Sequence, residues 1–217
     1  MIGDTRFKVC GLTRAADARL AAELGADYLG FILYPKSPRY LPLADYEALR
    51  ADLPAAARRV AVMVEPTADE LAAALGAGFD FFQIHARSEM PVTTVAAWSA
   101  MLGPARLWLA PKLPPGVAFP AEWLPLADTF LVDTFHADGF GGSGKTGDWS
   151  DFAKLAAAHP QKTWVLAGGL SPGNVALARA RSGARFLDVN SGVERAPGLK
   201  SPEKLRALVE ALSYLDS

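Results

Sequence analysis

Two residues that can transfer protons stand directly after short apolar segments. Cys10 follows the segment that starts at Phe7, and Asp133 follows the segment that starts at Thr129. A thiolate is a nucleophile or a base, and a carboxyl group donates or accepts a proton. Taken alone, Cys10 is more typical of a small buried hydrophobic residue, and Asp133 is typical of a helix or turn cap. Their chemistry therefore depends on whether the fold brings them to one place.

Two other segments have the features of an anion site. One passes from an apolar run through Gly168 and Gly169 to Ser171-Pro172, a typical helix start, and the other ends in Asn190-Ser191-Gly192 before a short helical turn. Glycines let the backbone approach a ligand, and the N–H groups of a helix N-terminus attract anions. We predict a phosphate site built from Gly168, Gly169, Asn190, Ser191 and Gly192.

A third glycine-rich segment, residues 139–146, matches the G-x-x-x-x-G-K-T pattern of a nucleotide-binding P-loop. A P-loop follows its strand at once and opens a helix, whereas several residues here separate the segment from the strand that ends at Asp133. We therefore exclude a nucleotide site. The segment is interpreted as a loop that closes over a bound substrate, with an exposed flexible loop as the alternative.

Strand-like and helix-like segments alternate along the whole chain and would position these groups. The eight predicted strands are Phe7–Cys10, Tyr28–Leu33, Val60–Val64, Phe79–Ile84, Arg106–Ala110, Thr129–Asp133, Thr163–Ala167 and Arg185–Val189. Their nearly continuous apolar character is typical of a parallel sheet covered by helices. We predict an α/β fold, a single (βα)8 TIM barrel forming one catalytic domain over residues 1–217, with its chemistry at the carboxyl ends of the strands. Periodicity alone leaves a doubly wound open sheet as the alternative.

The helical segments carry start and stop signals. Residues that commonly open and close helices flank three of them: Thr13 and Gly25, Thr67 and Gly76, and Ser171-Pro172 and Gly183. The fifth unit differs, because four prolines between residues 111 and 120 leave no room for a long helix. A short or irregular helix is predicted there, around Ala121–Leu126.

The composition limits the partners of the protein. The chain has 217 residues, 51% of them hydrophobic, and 22 Lys and Arg nearly balance 23 Asp and Glu. A net charge of −1 provides no broad field for nucleic acid or an anionic membrane, so we expect neither as a partner. A single cysteine cannot form an internal disulfide, and no leader or apolar span is evident, so we expect a cytoplasmic protein.

Six segments, in their order and spacing, resemble the phosphoribosylanthranilate isomerases of tryptophan biosynthesis. They are Lys8-Val9-Cys10-Gly11-Leu12-Thr13, residues 30–40 (GFILYPKSPRY), Leu131-Val132-Asp133-Thr134, residues 141–146 (GGSGKT), Ala167-Gly168-Gly169-Leu170 and residues 188–194 (DVNSGVE). The resemblance implies a (βα)8 barrel, no cofactor and no metal. It also implies an aldose-ketose isomerase, which converts N-(5′-phosphoribosyl)anthranilate to 1-(2-carboxyphenylamino)-1-deoxyribulose 5-phosphate by an Amadori rearrangement. The substrate is a small molecule, and the protein is expected to be a monomer or a homodimer.

The resemblance assigns roles to individual residues. Asp133 matches the acid that opens the ribose ring, and Cys10 matches the base that removes the C2′ proton. Arg39 would hold the anthranilate carboxylate, since a guanidinium fork matches a carboxylate. Gln83 and His85 would line the ring and ribose region. A lowered thiol pKa, through neighbours such as Lys8, would help the base.

The chain departs from the family pattern at three places, and other functions stay open. Ala86 replaces a usual glycine, the fifth unit is rich in proline around Lys112, and Asn190 stands where serine is common.

A carbon–carbon lyase related to indole-glycerol-phosphate synthase would need a strand-end lysine, for which Lys112 is the candidate. A non-catalytic phosphate-binding barrel is the third alternative, and the Cys10 and Asp133 pair argues against it. One phosphate cup predicts a substrate with one phosphate.

Overall fold

Strands and helices alternate from one end of the chain to the other. In this computed structural model the described residues are 2–114, 117–133 and 149–213. The long strands are β1 (Arg6–Val9), β2 (Tyr28–Ile32), β3 (Arg58–Val64), β4 (Phe81–Arg87), β5 (Leu107–Lys112), β6 (Thr129–Val132), β7 (Thr163–Leu166) and β8 (Phe186–Val189). The α-helices are α1 (Ala15–Glu23), α2 (Leu43–Arg50), α3 (Ala68–Gly76), α4 (Val92–Leu102), α5 (Trp149–Ala158), α6 (Val175–Ser182) and α7 (Pro202–Ser213). Each long strand overlaps a strand predicted from the sequence.

The eight strands close into a parallel barrel in sequential order. The closing pair is β1 and β8, where Val9 lies opposite Val189 and Lys8 opposite Asp188. An open doubly wound sheet has no such pairing between its first and last strands, so the TIM barrel is confirmed and the alternative is wrong. All strand carboxyl ends therefore meet at one rim.

Two helix boundaries differ from the sequence prediction, and one agrees. Thr67 opens α3 with a capping box, in which its hydroxyl accepts from the Glu70 N–H while the Glu70 carboxylate accepts from the Thr67 N–H. Thr13 does not cap α1, because its hydroxyl donates instead to the Gly198 carbonyl at 2.7 Å. Helix α6 begins only at Val175, past Ser171-Pro172, although Gly183 ends it in the left-handed region as predicted.

The fifth unit has the short helix that its prolines predicted. A 3-10 helix covers Ala121–Leu126, with Pro120 at its N-cap and Pro125 inside it. Proline lacks the N–H that an α-helix interior requires, which limits this connection to a single short helix. Trp123 nevertheless anchors it, because the indole is completely buried.

The barrel interior is divided into an aromatic floor and a polar layer above it. Tyr28, Phe81, Trp108 and Phe186 lie near the amino ends of their strands, with ring centroids 5.0 to 5.5 Å apart. These rings fill one end of the barrel, so a small ligand can enter only from the carboxyl ends of the strands. In the described parts of the chain, no helix is long and apolar enough to cross a membrane.

Candidate active site

One pocket opens at the carboxyl ends of the strands and collects most of the residues singled out in the sequence. Its lining includes Cys10, Arg39, Gln83, His85, Asp133, Gly168, Gly169, Asn190 and Ser191. Apolar side chains from neighbouring strands, such as Ile32, Val62 and Leu131, complete the wall. Asp188, which the sequence prediction did not include, lines the pocket as well. The barrel therefore brings a thiol, two carboxyl groups, a guanidinium and two glycine-containing loops to one place.

Cys10 stands one residue beyond β1 and is held there by its backbone. Its N–H donates to the Val189 carbonyl at 2.8 Å, and its side chain is almost fully buried. Burial raises the pKa of the thiol, since the charged thiolate loses its hydration, and Asp188 raises it further. Lys8 acts in the opposite direction, as expected from the sequence, but the net shift is upward. The surroundings of Cys10 therefore favour the neutral thiol.

Lys8 crosses the barrel interior beneath Cys10 in a fully buried polar layer. Its Nζ donates to Asp188 Oδ1 at 3.0 Å and Oδ2 at 2.9 Å, and to Gln83 Oε1 at 2.9 Å. Burial alone would lower the pKa of Lys8, but Asp188 and then Cys10 outweigh it, so its pKa is raised and it stays charged. Gly30 makes room for the lysine, because a Cβ there would lie 2.7 Å from Lys8 Cε.

The sequence held a signal for this layer that the prediction missed. Alternate residues of a strand face the same side, so Lys8 points inward with Cys10, while Phe7 and Val9 face the helices. The same alternation on β8 points Asp188 into the barrel. A lysine and an aspartate at inward-facing positions of two strands in the barrel wall are typical of a buried pair.

Gln83 connects Lys8 to His85. Because Lys8 has only donors, the Gln83 amide must turn its oxygen toward the lysine, which directs its Nε2 to His85 Nε2 at 2.8 Å. That ring nitrogen therefore accepts a hydrogen bond, so the proton of the neutral imidazole is on Nδ1. Burial of the imidazole and repulsion from Lys8 lower the pKa of His85 to about 4. His85 is neutral at physiological pH.

Arg39 lines the pocket with its guanidinium already held by an acidic residue. Its Nε and Nη2 donate to the carboxylate of Glu194, with the shortest contact at 2.7 Å. Glu194 also accepts from the Nζ of the buried Lys200 at 2.7 Å. Sequence reasoning identified Arg39 but missed both partners, which lie 155 and 161 residues further along the chain.

The predicted phosphate loops face each other at the pocket. Gly168 and Gly169 have φ values of +92° and +62°, a region that favours glycine, and a 3-10 helix covers Ser191–Val193 after β8. A Cβ on Gly192 would lie 2.0 Å from the Leu170 carbonyl oxygen, so the two loops can approach this closely only with glycine there. Gly192 therefore supports the pocket, although it is not one of the described residues that line it.

One part of the phosphate prediction is wrong. The glycine pair does not lead directly into a helix, because five residues separate Gly169 from Val175, where α6 begins. Asn174 holds the intervening turn instead, accepting from the Ser171 N–H at 2.8 Å and donating to the Gly169 carbonyl at 2.9 Å. The backbone N–H groups of the loop, and not the first turn of α6, are therefore closest to the pocket.

Asp133 follows β6 directly and is half-buried at the pocket wall. The glycine-rich segment 139–146, interpreted as a closing loop, lies outside the described residues. Lys112 ends β5 and is outside the set of described residues that line the pocket. Among the described residues, no group of three or more His, Cys, Asp or Glu side chains is arranged to hold a metal ion.

Known proteins resemble this chain over nearly its full length. Residues 7–211 match the sequence profile of the family described as N-(5′-phosphoribosyl)anthranilate (PRA) isomerase. The N-(5′-phosphoribosyl)anthranilate isomerase of Bordetella bronchiseptica is 39% identical over 215 residues, which cover 98% of this chain and 97% of the relative.

Solved structures agree with the sequence comparison. The phosphoribosyl anthranilate isomerase of Thermus thermophilus has a TM-score of 0.81 and 35% identity, covering 97% of this chain and all of the other. A phosphoribosyl anthranilate isomerase in complex with reduced 1-(o-carboxyphenylamino)-1-deoxyribulose 5-phosphate has a TM-score of 0.73 and 28% identity, covering 97% and 99%. With this fold, this pocket and these relatives, the chain belongs to the N-(5′-phosphoribosyl)anthranilate isomerase family.

Proposed function

We propose that this protein isomerises N-(5′-phosphoribosyl)anthranilate to 1-(2-carboxyphenylamino)-1-deoxyribulose 5-phosphate, with Cys10 and Asp133 as its proton-transfer groups. The observation that carries the proposal is that both side chains line the same pocket as Gly168, Gly169 and Ser191, in a chain of this family. The proposal treats residues 1–217 as one catalytic domain that uses no cofactor.

The first step is opening of the ribose ring. The nitrogen lone pair of the aminosugar forms a double bond to C1′ while the bond from C1′ to the ring oxygen breaks, and Asp133 protonates that oxygen. The product is a protonated Schiff base. A carboxyl group performs this step only while it holds its proton.

The second step is loss of the C2′ proton. The positive Schiff base makes the C2′–H bond acidic, and the thiolate of Cys10 takes the proton to leave a neutral enolamine. Tautomerisation then moves the hydroxyl proton of C2′ to C1′, which gives the ketose. Since burial raises the pKa of Cys10, the thiolate is a strong base when it forms, and the buried ammonium of Lys8 is the nearby charge that favours it.

The remaining pocket residues bind and orient the substrate in this proposal. The guanidinium of Arg39 suits the anthranilate carboxylate, and the loops bearing Gly168, Gly169 and Ser191 offer backbone N–H groups to the phosphate. Neutral His85, held by Gln83 and lining the pocket, is assigned to the ring and ribose region.

The lyase alternative is less consistent with the structure. A lyase of the related kind needs a lysine at the reacting carbon, and Lys112 is outside the described lining of the pocket. Lys8, which is inside the barrel, is fully buried and paired with Asp188. Neither lysine is placed to protonate a substrate in the pocket.

The proposal is tested with the purified protein and freshly generated phosphoribosylanthranilate. Loss of the substrate's anthranilate-type fluorescence measures isomerisation, and separate incubation with the ketose product tests for lyase activity. We expect turnover of the first compound, no consumption of the second, and growth rescue of a tryptophan auxotroph that lacks only this isomerase. A wild-type protein that consumes the ketose but not the aminosugar would overturn the assignment.

A further inference from the structure

We propose that Glu194 is a positioning residue that orients Arg39 toward the substrate carboxylate, with the buried Lys200 as its counter-ion. Glu194 and Lys200 belong to a small antiparallel hairpin of β9 (Glu194–Ala196) and β10 (Leu199–Lys200), outside the barrel sheet. The inference rests on the proposed role of Arg39 and extends it to how the specificity for a carboxylate-bearing substrate is built.

The contacts between Arg39 and Glu194 use one edge of the guanidinium. Arg39 Nε donates to Oε1 at 2.9 Å and to Oε2 at 3.0 Å, and Nη2 donates to Oε2 at 2.7 Å. A guanidinium has five N–H donors in a rigid plane. With the Nε edge fixed on Glu194, the edge formed by Nη1 and the outer N–H of Nη2 is directed away from it. That second edge is the one that pairs with a carboxylate bidentately.

Lys200 keeps this arrangement attractive to an anion. Its ammonium is buried and donates to Glu194 Oε1 at 2.7 Å and to Asn190 Oδ1 at 3.0 Å. Arg39 and Glu194 alone would be a neutral pair, whereas the three groups together carry a net charge of +1. Burial alone would raise the pKa of Glu194, but hydrogen bonds from Arg39 and attraction to Lys200 outweigh it and hold its pKa below the ordinary value.

The hairpin holds Glu194 firmly enough to orient another side chain. The Gly198 N–H donates to Glu194 Oε1 at 3.1 Å, and the Gly198 carbonyl accepts from the Thr13 hydroxyl at 2.7 Å. The Lys200 N–H donates to Asp17 Oδ2 at 3.1 Å. These bonds tie the hairpin to the segment that follows β1, and therefore to the backbone that carries Cys10.

The lack of a side chain at Gly11 leaves space for the aliphatic part of the Arg39 side chain. The residue has φ of +69°, and a Cβ there would lie 2.7 Å from Arg39 Cδ and 2.6 Å from Asn190 Oδ1. The segment after Cys10 is therefore shaped so that Arg39 can reach Glu194 across it. Charge, hydrogen bonding and backbone shape all agree in fixing this one guanidinium.

The test compares Glu194→Ala, Arg39→Ala and the double variant on two substrates. One is phosphoribosylanthranilate, and the other is N-(5-phosphoribosyl)aniline, which lacks the carboxylate. Loss of one oriented, charge-assisted contact is worth about a tenfold change in binding. We expect Glu194→Ala to raise KM for phosphoribosylanthranilate about tenfold with kcat within about twofold, and to leave kcat/KM for the aniline compound within about twofold.

The double variant separates positioning from a general structural effect. If Glu194 acts through Arg39, Glu194→Ala causes no further loss in the Arg39→Ala background. Equal losses on both substrates, or additive losses in the double variant, would overturn the inference. Because Glu194→Ala strands the buried Lys200, Glu194→Gln is measured in parallel, since its amide oxygen still accepts from the lysine. Glu194→Gln should also raise KM for phosphoribosylanthranilate and not for the aniline compound, but by a smaller factor than Glu194→Ala. An equal effect of Glu194→Gln on both substrates counts against the inference.

A matched control is available at the same rim of the barrel. Glu65 holds Arg87 with the same fork, Nε at 2.9 Å and Nη2 at 3.1 Å, but neither residue is in the described lining of the pocket. Glu65→Gln should leave both substrates unaffected. If Arg39→Ala discriminates between the substrates and Glu194→Ala does not, only this inference fails. If Arg39→Ala treats them alike, the proposed role of Arg39 fails first.

Discussion

Replacing His85 by glutamine should remove a loss of stability that the wild-type protein undergoes in mild acid. In the folded protein the pKa of His85 is lowered to about 4 from an ordinary value of 6.5, through burial and then repulsion from Lys8. Between these two values the unfolded chain binds a proton that the folded protein does not. The wild type therefore loses stability as the pH falls from about 6.5 toward 4, and this residue contributes no loss above that window.

The size of the loss follows from the two pKa values. A difference of one pKa unit corresponds to 1.36 kcal/mol, so the complete titration of His85 is worth about 3 kcal/mol, and the change between pH 7 and pH 4.5 about 2 kcal/mol. Protonation would also replace the acceptor nitrogen that faces the Gln83 amide with a donor. Both effects act in the same direction.

Urea unfolding at pH 7 and at pH 4.5 measures the effect in wild type and His85→Gln. The free energy of unfolding should fall by about 2 kcal/mol more in the wild type than in the variant, because all other titrating groups are shared. Leu177→Ala, which replaces an exposed residue that does not titrate, is the control and should follow the wild type. Equal pH dependence in wild type and His85→Gln would refute the assignment of a partly buried, neutral His85 that accepts from Gln83.

Three further predictions concern the polar layer and the phosphate loops. Lys8→Met should move the alkylation of Cys10, the only thiol in the chain, to higher pH, because the Lys8 charge lowers the pKa of the thiol. The rate of reaction with iodoacetamide is followed by mass spectrometry as a function of pH, and an unchanged pH dependence would contradict this. The same variant should lose about 3 to 5 kcal/mol of stability in urea, and Asp188→Asn in addition should restore most of it, since a buried charge without its partner is the main cost. Gly192→Ala should weaken the binding of inorganic phosphate measured by calorimetry, because the added Cβ would lie 2.0 Å from a carbonyl oxygen of the opposite loop. Gly76→Ala is the control and should bind phosphate normally, because a Cβ there meets nothing within 4 Å.

Local patterns in the sequence were sufficient to locate the alternating strands and helices, although they left an open sheet as an alternative to the closed barrel. Continuous apolar strands, the proline-rich fifth unit and the capping box at Thr67 depend on neighbours a few residues away, so each could be predicted from the chain alone. The hydrogen bond of Thr13 could not be predicted in this way. Its hydroxyl bonds the Gly198 carbonyl, 185 residues away, and a tertiary partner of that kind leaves no local signal.

The candidate site was predictable as a set of residues, but its electrostatics were not. Strand ends and family motifs identified Cys10, Asp133 and Arg39. Strand alternation marks Lys8 and Asp188 as inward-facing charged residues, but it does not show that they pair, because they meet only when the first and last strands close the barrel. The direction of the Cys10 pKa shift was also not predictable, because it depends on how deeply the folded chain buries the thiol.

Variant kinetics show whether Cys10 and Asp133 transfer the protons of the isomerisation. Cys10→Ala and Asp133→Asn are compared with Asp128→Asn, an exposed aspartate at the other end of β6, using phosphoribosylanthranilate at saturating and limiting concentrations. Loss of a general acid or base lowers kcat by about 100-fold to 10,000-fold. We expect losses of that size for Cys10→Ala and Asp133→Asn, with folded proteins and wild-type kinetics for Asp128→Asn. Near wild-type kcat in either Cys10→Ala or Asp133→Asn would contradict it.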